Sequence, residues 1–250
     1  MNRNWIKPGW SAPENVRALS TTRIGGEGIA PYDTLNLGAG VADSADRVRA
    51  NRQRLIEDAG LPRNPVWLRQ VHGTTVVPAH DVADVDVPEA DASWTDRPGV
   101  PCVILSADCL PVLLCDRAGT RVAAAHAGWR GLAAGVIEQT VSSMRVSGGE
   151  LLAWLGPAIG PDAFEIGPEV REQFLASDPG ASSAFRQGRA DRWLADLYTL
   201  ARRRLHDLGV RDVHGGDHCT YTDNARFFSY RRDGETGRMA TVIWLEHISR

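Results

Sequence analysis

The chain has 250 residues, 43% hydrophobic and 24% charged, enough to bury a large core in one domain spanning 1–250. A net charge of -3 at neutral pH argues against general affinity for nucleic acid or an anionic membrane, so the expected partner is a small molecule. Lys7 is the only lysine and sits beside Pro8, which excludes the P-loop, the kinase strand lysine and Schiff-base catalysis.

Prolines and polar residues interrupt the N-terminal stretch "MNRNWIKPGWSAPENVRALS", so it has no signal-peptide core, and no later run reaches membrane-span length. Cys102, Cys109, Cys115 and Cys219 form no C-x-x-C pair and are too few for a disulfide scaffold. The expectation is a cytoplasmic protein with reduced thiols, monomeric or homodimeric.

In chain order, short apolar runs alternate with amphipathic stretches, the pattern of an α/β or α+β fold. Residues 43–60 predict a helix with Asp43 or Ser44 as cap, Val48, Leu55 and Ile56 on its apolar face, and Gly60 with Pro62 as the stop. "PVWLRQVHGTTVVPA" predicts strand, turn and strand, with His72-Gly73 at the turn. Residues 100–116 predict two buried strands parted by Ser106, Ala107, Asp108 and Cys109. "RVAAAHAG" predicts a third strand and "WRGLAAGVIEQTVSSMR" one helix. Residues 151–161 predict a strand and a Gly/Pro loop, "PGASSAFRQGRA" a loop, 191–209 an amphipathic helix, and 227–246 a hairpin.

Chemistry concentrates at strand ends. His126 reads either as a core histidine satisfied by backbone or as a site residue. Gly128 and Gly131 suggest a sharp turn that would aim a helix N-terminus, beside Arg130, at an anion. Cys109 ends its own strand beside Asp108, and His72 sits at a third strand tip. Together His72, Cys109 and His126 could form a zinc site with an open fourth position, but their spacing is not a compact ligand motif, and a buried thiol and a turn-forming aspartate also explain Cys109 and Asp108. His214 and His218 are parted by two glycines and read as a loop, and "RIGGEG" reads as a turn.

The segments "LRQVHG", "SADCLPVLLCD", "AAAHAGWRG", "LGPAIGP" and "CTYTDNARFFSYRRDGETGRMA", in that order, resemble the laccase-domain family of bacterial proteins. Its members are also described as purine nucleoside phosphorylases or peptidoglycan editing factors, formerly as polyphenol oxidases. The resemblance runs from Arg23 to Leu245 and is close to proteobacterial members. It implies an α/β (α+β) fold of packed mixed sheets flanked by helices, similar to the catalytic domain of the cytotoxic necrotizing factor toxins. It also implies one zinc ion on His72, Cys109 and His126, with copper the weaker alternative, and substrate contacts from Arg23 and Asn36. The chain departs from the family pattern at Gly40, where many members have histidine, and at Asp162 and Phe164 in the "IGPDAFE" segment.

Three functions follow from the resemblance. The first is a zinc enzyme that phosphorolyses adenosine, inosine and methylthioadenosine and deaminates adenosine. Zinc-activated water would attack purine C6 with Asp108 as proton carrier, while Arg130, the helix N-terminus and Arg23 hold phosphate for attack at ribose C1′. The second is an amidase that removes a wrong amino acid from a UDP-MurNAc peptidoglycan precursor, with zinc stabilising the oxyanion. The third, copper oxidation of phenols, is disfavoured: the chain has seven histidines, none spaced His-x-His, and none of Met1, Met144 and Met239 is near the His and Cys ligand motif in sequence.

Overall fold

The computed structural model describes residues 4–83 and 86–247. The elements run β1 (Val16–Ser20), α1 (Ala45–Ala59), β2 (Val76–Pro78), β3 (Ala92–Thr95), β4 (Cys102–Ser106), β5 (Leu110–Asp116), β6 (Val122–Ala127), α2 (Trp129–Ala134), α3 (Val136–Met144) and β7 (Leu151–Leu155). They continue β8 (Glu165–Ile166), α4 (Pro168–Ser177), β9 (Phe185–Gln187), β10 (Trp193–Ala195), α5 (Leu197–Asp207), β11 (Asp212–Gly215), α6 (Tyr230–Asp233) and β12 (Met239–Leu245). No helix among the described residues is long and apolar enough to cross a membrane.

A six-stranded mixed sheet, ordered β11-β7-β5-β6-β3-β2, packs against a three-stranded antiparallel sheet, β1-β12-β4, with helices on both outer sides. The alternation along β5 shows how. Leu110, Val112 and Leu114 face the layer of α2, α3 and α5, whereas Leu113 and Cys115 face the second sheet. The second sheet turns Val103, Val242 and Trp244 outward against Leu55 and Ala59 of α1. Both faces of β5 and β6 are therefore buried, which explains their unbroken apolar composition.

The run of alanines in β6 has a packing reason. Ala123, Ala125 and Ala127 lie in the same core as Leu132, Val136 and Val141, and short side chains let α3 sit close to the sheet. A larger residue there would overpack the contact, typically at about 1–3 kcal/mol.

The structure differs from the sequence expectations at several places. The stretch expected as one helix after β6 breaks at Gly135, whose φ of 101° starts a new helix. The segment 65–79 forms one short strand, β2, and isolated bridges from Val66 and Arg69 to Cys102 and Glu89, not a hairpin. The expected helix from 191 begins only at Leu197, where the Asp196 side chain accepts the Thr199 N–H as N-cap, while Trp193–Ala195 pair with β8 and β9 in a small third sheet that also takes Phe185–Gln187 from the expected loop. The expected C-terminal hairpin has one strand, β12, because its partners are the distant β1 and β4.

Candidate metal centre and active-site cleft

Antiparallel pairing places the start of β5 beside the end of β6, with Leu110 opposite Ala127 and Pro111 opposite His126. β3 runs antiparallel to β6 and parallel to β2, so the starts of β2 and β3 reach the same end of the sheet. His72 in the loop before β2, Asp91 before β3, Cys109 before β5 and His126 near the end of β6 are thereby gathered at one place.

His72 Nε2 lies 3.7 Å from Cys109 Sγ, and the donor atoms of His72, Cys109 and His126 all lie within 4.8 Å of one another. Among the described residues they are the one group of three or more such side chains able to hold a metal ion. A tetrahedral ion with bonds of about 2.0–2.3 Å spaces its ligands by roughly 3.5 Å, so small side-chain movements close this set on a cation. The space between the donors is kept clear by Gly128, where a Cβ would stand 2.9 Å from His72 Cδ2 and 3.0 Å from Cys109 Sγ. His126 is buried, Cys109 half-buried and His72 exposed, so the group opens to solvent on the His72 side. A set of three donors with an open face is the arrangement of a catalytic metal site.

Burial alone would raise the Cys109 thiol, but His126 and His72 more than offset it and bring it down to about 6. Burial would likewise lower His126, yet Cys109 and Asp91 raise it to about 9. Without a cation, each of the two groups thus favours the charged form of the other; a bound cation would take the place of the His126 Nε2 proton. Cys102 and Cys115, buried in the core, are pushed up to about 12 and stay protonated.

Above the three side chains lies a cleft of about 870 Å³. Trp67, Trp129, Ile159 and Phe164 supply apolar wall, and Arg52, Arg69, Arg130, Arg231 and Arg238 supply positive charge against the single carboxylate of Asp108. Arg238 is anchored by Nη1, which donates to the Thr236 and Gly237 carbonyls, and by its backbone N–H, which donates to Asn36 Oδ1. Burial pulls its guanidinium below the usual arginine range, only partly offset by Cys109 and Asp108. Arg52 is also lowered by burial, to about 10, and lies 3.7 Å over the Trp67 ring.

A model of the multi-copper polyphenol oxidoreductase laccase family matches residues 17–246. The chain belongs to that family of enzymes. It is 57% identical over 240 residues to the purine nucleoside phosphorylase YfiH of Escherichia coli, covering 96% of this chain and 98% of the relative. It is 58% identical over 243 residues to a purine nucleoside phosphorylase of Pseudomonas aeruginosa, covering 97% and 98%. Its fold superimposes on the crystal structure of a Neisseria meningitidis protein with a TM-score of 0.95 at 50% identity, covering 98% of this chain and 100% of that one. YlmD from Geobacillus stearothermophilus gives 0.90 at 30% identity, covering 99% and 98%.

The other residues singled out in the sequence take different places around this family's cleft. Arg130 lines it and stacks on Trp129, 4.5 Å from the ring centroid. The helix behind it, α2, has only six residues and contributes little end charge. Asp108, with a φ of 90°, accepts hydrogen bonds from Thr220 Oγ1, Ser229 Oγ and the Arg231 N–H, so both carboxylate oxygens are engaged. Arg23 does not line the cleft: it holds the Asp33 carbonyl and carboxylate and lies over Phe228. Asn36 is fully buried and ties Gly38, Asp43 and the Arg238 backbone together. Gly40 and Phe164, two departures from the family pattern, both line the cleft, whereas Asp162 pairs with Arg186. His214, expected in a loop, lies in β11 opposite Trp154 of β7 and pairs with Asp212, while His218 packs on Phe227.

Sequence reasoning missed Asp91 and Arg238. Asp91 lies in "EADASWTD", a short strand start without a clear apolar alternation, and Arg238 lies in what reads as a turn. The available signal was the family segment "GETGRMA", which contains Arg238.

Proposed function

We propose that the protein is a zinc-dependent purine nucleoside phosphorylase that converts adenosine, inosine and methylthioadenosine, with phosphate, to free base and sugar 1-phosphate, and that also deaminates adenosine. The observation that carries this reading is the convergence of His72, Cys109 and His126 beneath a cleft walled by aromatic and arginine side chains, in a chain more than half identical to two purine nucleoside phosphorylases. His72, Cys109 and His126 hold the ion. When bound, zinc supplies a Lewis acid able to polarise an oxygen or lower the pKa of water toward neutrality. Two imidazoles and one thiolate suit zinc, whereas a multicopper centre needs further histidine ligands that no second group among the described residues provides. Met239 is buried and accepts the Phe228 N–H, Met144 is buried in the helix-side core, and Met1 lies outside the described residues.

Arg130 and Arg238 hold phosphate for attack on the sugar C1′, and the glycosidic electron pair leaves with the purine. Trp129 and Phe164 offer apolar surface to the base. Asp108, its oxygens already engaged, fastens the segment from Thr220 to Arg231 beneath the cleft; we assign it that positioning role in place of proton carriage. Arg23 and Asn36 shape the loop that carries Gly38 and Arg238 and act on substrate only through it. The four free thiols suit work in the cytoplasm.

Purified protein with quantified zinc, incubated with adenosine, tests the reading. Free adenine and ribose 1-phosphate that form only with phosphate, or inosine formed without it, are the expected products; a zinc-loaded protein that turns over no purine nucleoside sinks it. Arg238→Gln should raise the phosphate KM about tenfold or more, the value of a lost charge-assisted hydrogen bond, with the adenosine KM little changed. An unaltered phosphate KM in initial-rate measurements would remove Arg238 from the anion site.

The cleft also favours a second reading. At about 870 Å³ it lies near the top of the range for small-molecule sites, roughly 300–1,000 Å³, and it is lined by five arginines, of which Arg69 is paired with Glu89 and Arg231 bonded to the Glu165 carbonyl. A muramyl amide of a peptidoglycan precursor is larger and more anionic, and the same centre could stabilise the oxyanion of amide hydrolysis. It is the substrate to assay beside adenosine.

A further inference from the structure

One carboxylate stands behind two of the three donors. Asp91 is fully buried, does not line the cleft and is not one of the converging donors. Its Oδ1 accepts the His126 Nδ1–H at 2.8 Å and the His72 backbone N–H at 2.9 Å. Its Oδ2 accepts the N–H groups of Gly73 at 2.7 Å and Val71 at 3.2 Å. Its own carbonyl accepts the His126 N–H at 2.7 Å, and its N–H donates to the Thr75 carbonyl at 3.0 Å. No side-chain lone pair is left pointing at the centre in a way that would make it a fourth ligand.

Two consequences follow from those bonds. A carboxylate only accepts, so His126 must carry its proton on Nδ1, and the Nε2 lone pair is the one aimed at the centre. Three successive backbone N–H groups, from Val71 to Gly73, close around the same carboxylate like an anion nest. That clasp holds His72 at a φ of 62°, a left-handed conformation that is unfavourable for a residue with a Cβ. Without Asp91, the loop would relax and the His72 ring would leave Cys109.

We propose that Asp91 is the positioning residue of the metal centre: a single buried carboxylate that fixes the ring orientation and tautomer of His126 and the backbone of His72, and so sets the affinity of the site. The inference rests on the metal reading of His72, Cys109 and His126. Outer partners of metal-bound histidines typically account for 10- to 100-fold in affinity when removed, and Asp91 serves two ligands at once.

The test uses the zinc-loaded full chain and its Asp91→Asn and Asp91→Ala variants. Zinc affinity is read by chelator competition on the folded protein, and the site is read by the visible spectrum after cobalt substitution and by the nitrogen resonances of His126. Asp91→Asn, which keeps the shape of the side chain, is expected to weaken zinc 10- to 100-fold, to shift the cobalt bands and to move the His126 Nδ1–H signal, with Asp91→Ala weaker still. A purely structural role would lower the melting temperature of Asp91→Asn while leaving zinc affinity, cobalt bands and His126 signals of the folded protein as in the parent, and that result overturns the proposal. A parent chain that binds neither zinc nor cobalt would overturn the metal reading itself, and this inference with it.

Discussion

On the proposed zinc reading, Cys109→Ser is expected to abolish metal binding and turnover together while the fold remains. The thiolate is the one anionic donor in the set, its Sγ 3.7 Å from His72 Nε2 and its thiol already drawn down to about 6 by the two histidines. A serine hydroxyl stays protonated at any working pH and is a poor partner for a borderline-soft ion, so the site loses both the charge and the softness that select zinc. Lewis-acid stabilisation is worth several kcal/mol, which converts to a loss in kcat of about 10³-fold or more. Cys109 is half-buried at the start of a strand and serine matches its shape, so the melting temperature should stay within a few degrees of the parent. Metal analysis, thermal unfolding and adenosine turnover on the same preparation check the three parts. A folded variant that lacks zinc and works at the parental rate would refute the metal role.

The central strands are legible because burial on both faces leaves an unbroken apolar run, as in "LPVLLCD" and "VAAAHA"; Cys109 and His126 are legible because they stand at the ends of such runs, and His72 because it sits at the His-Gly turn of "QVHG". What brings them together is not: the register Leu110–Ala127 and the order β5-β6-β3-β2 are properties of pairing between strands, and no local pattern encodes them. Asp91 escaped notice for the same reason, since its value lies in bonds to residues 18 to 35 positions away. Phe227 and Phe228 imitate a strand start but are fully buried anchors before α6, whose N-cap is Ser229, so the expected hairpin has no first strand. Trp193–Ala195 carry helix-compatible residues but lie before the Asp196 cap, and a cap signal inside an amphipathic run was the available clue. The resemblance implies substrate contacts from Arg23 and Asn36; the structure ties Arg23 to Asp33 and Asn36 to Asp43 and the Arg238 backbone.

Gly128→Ala separates the site from the fold more sharply than any ligand substitution. The sequence suggests that this glycine is there to turn the chain, but its φ of -59° and ψ of 153° are open to any residue, so alanine brings no backbone strain. The constraint is space. The added methyl would sit 2.9 Å from His72 Cδ2, 3.0 Å from Cys109 Sγ and 3.5 Å from His126 Cε1, in the middle of the three donors. Cys109 and His126 are fixed by the pairing of β5 with β6, so the exposed His72 is the group that must move, and its movement opens the donor set. Overpacking of this kind costs about 1–3 kcal/mol, and here it falls on the ligand geometry, so zinc affinity should drop about 100-fold and turnover at limiting zinc with it. Gly40→Ala is the matched control: it also borders the cleft, but its Cβ meets nothing within 4 Å, and zinc affinity should be parental. Chelator competition on both variants decides the matter, since equal affinities would mean that the close approach at Gly128 has no bearing on the metal.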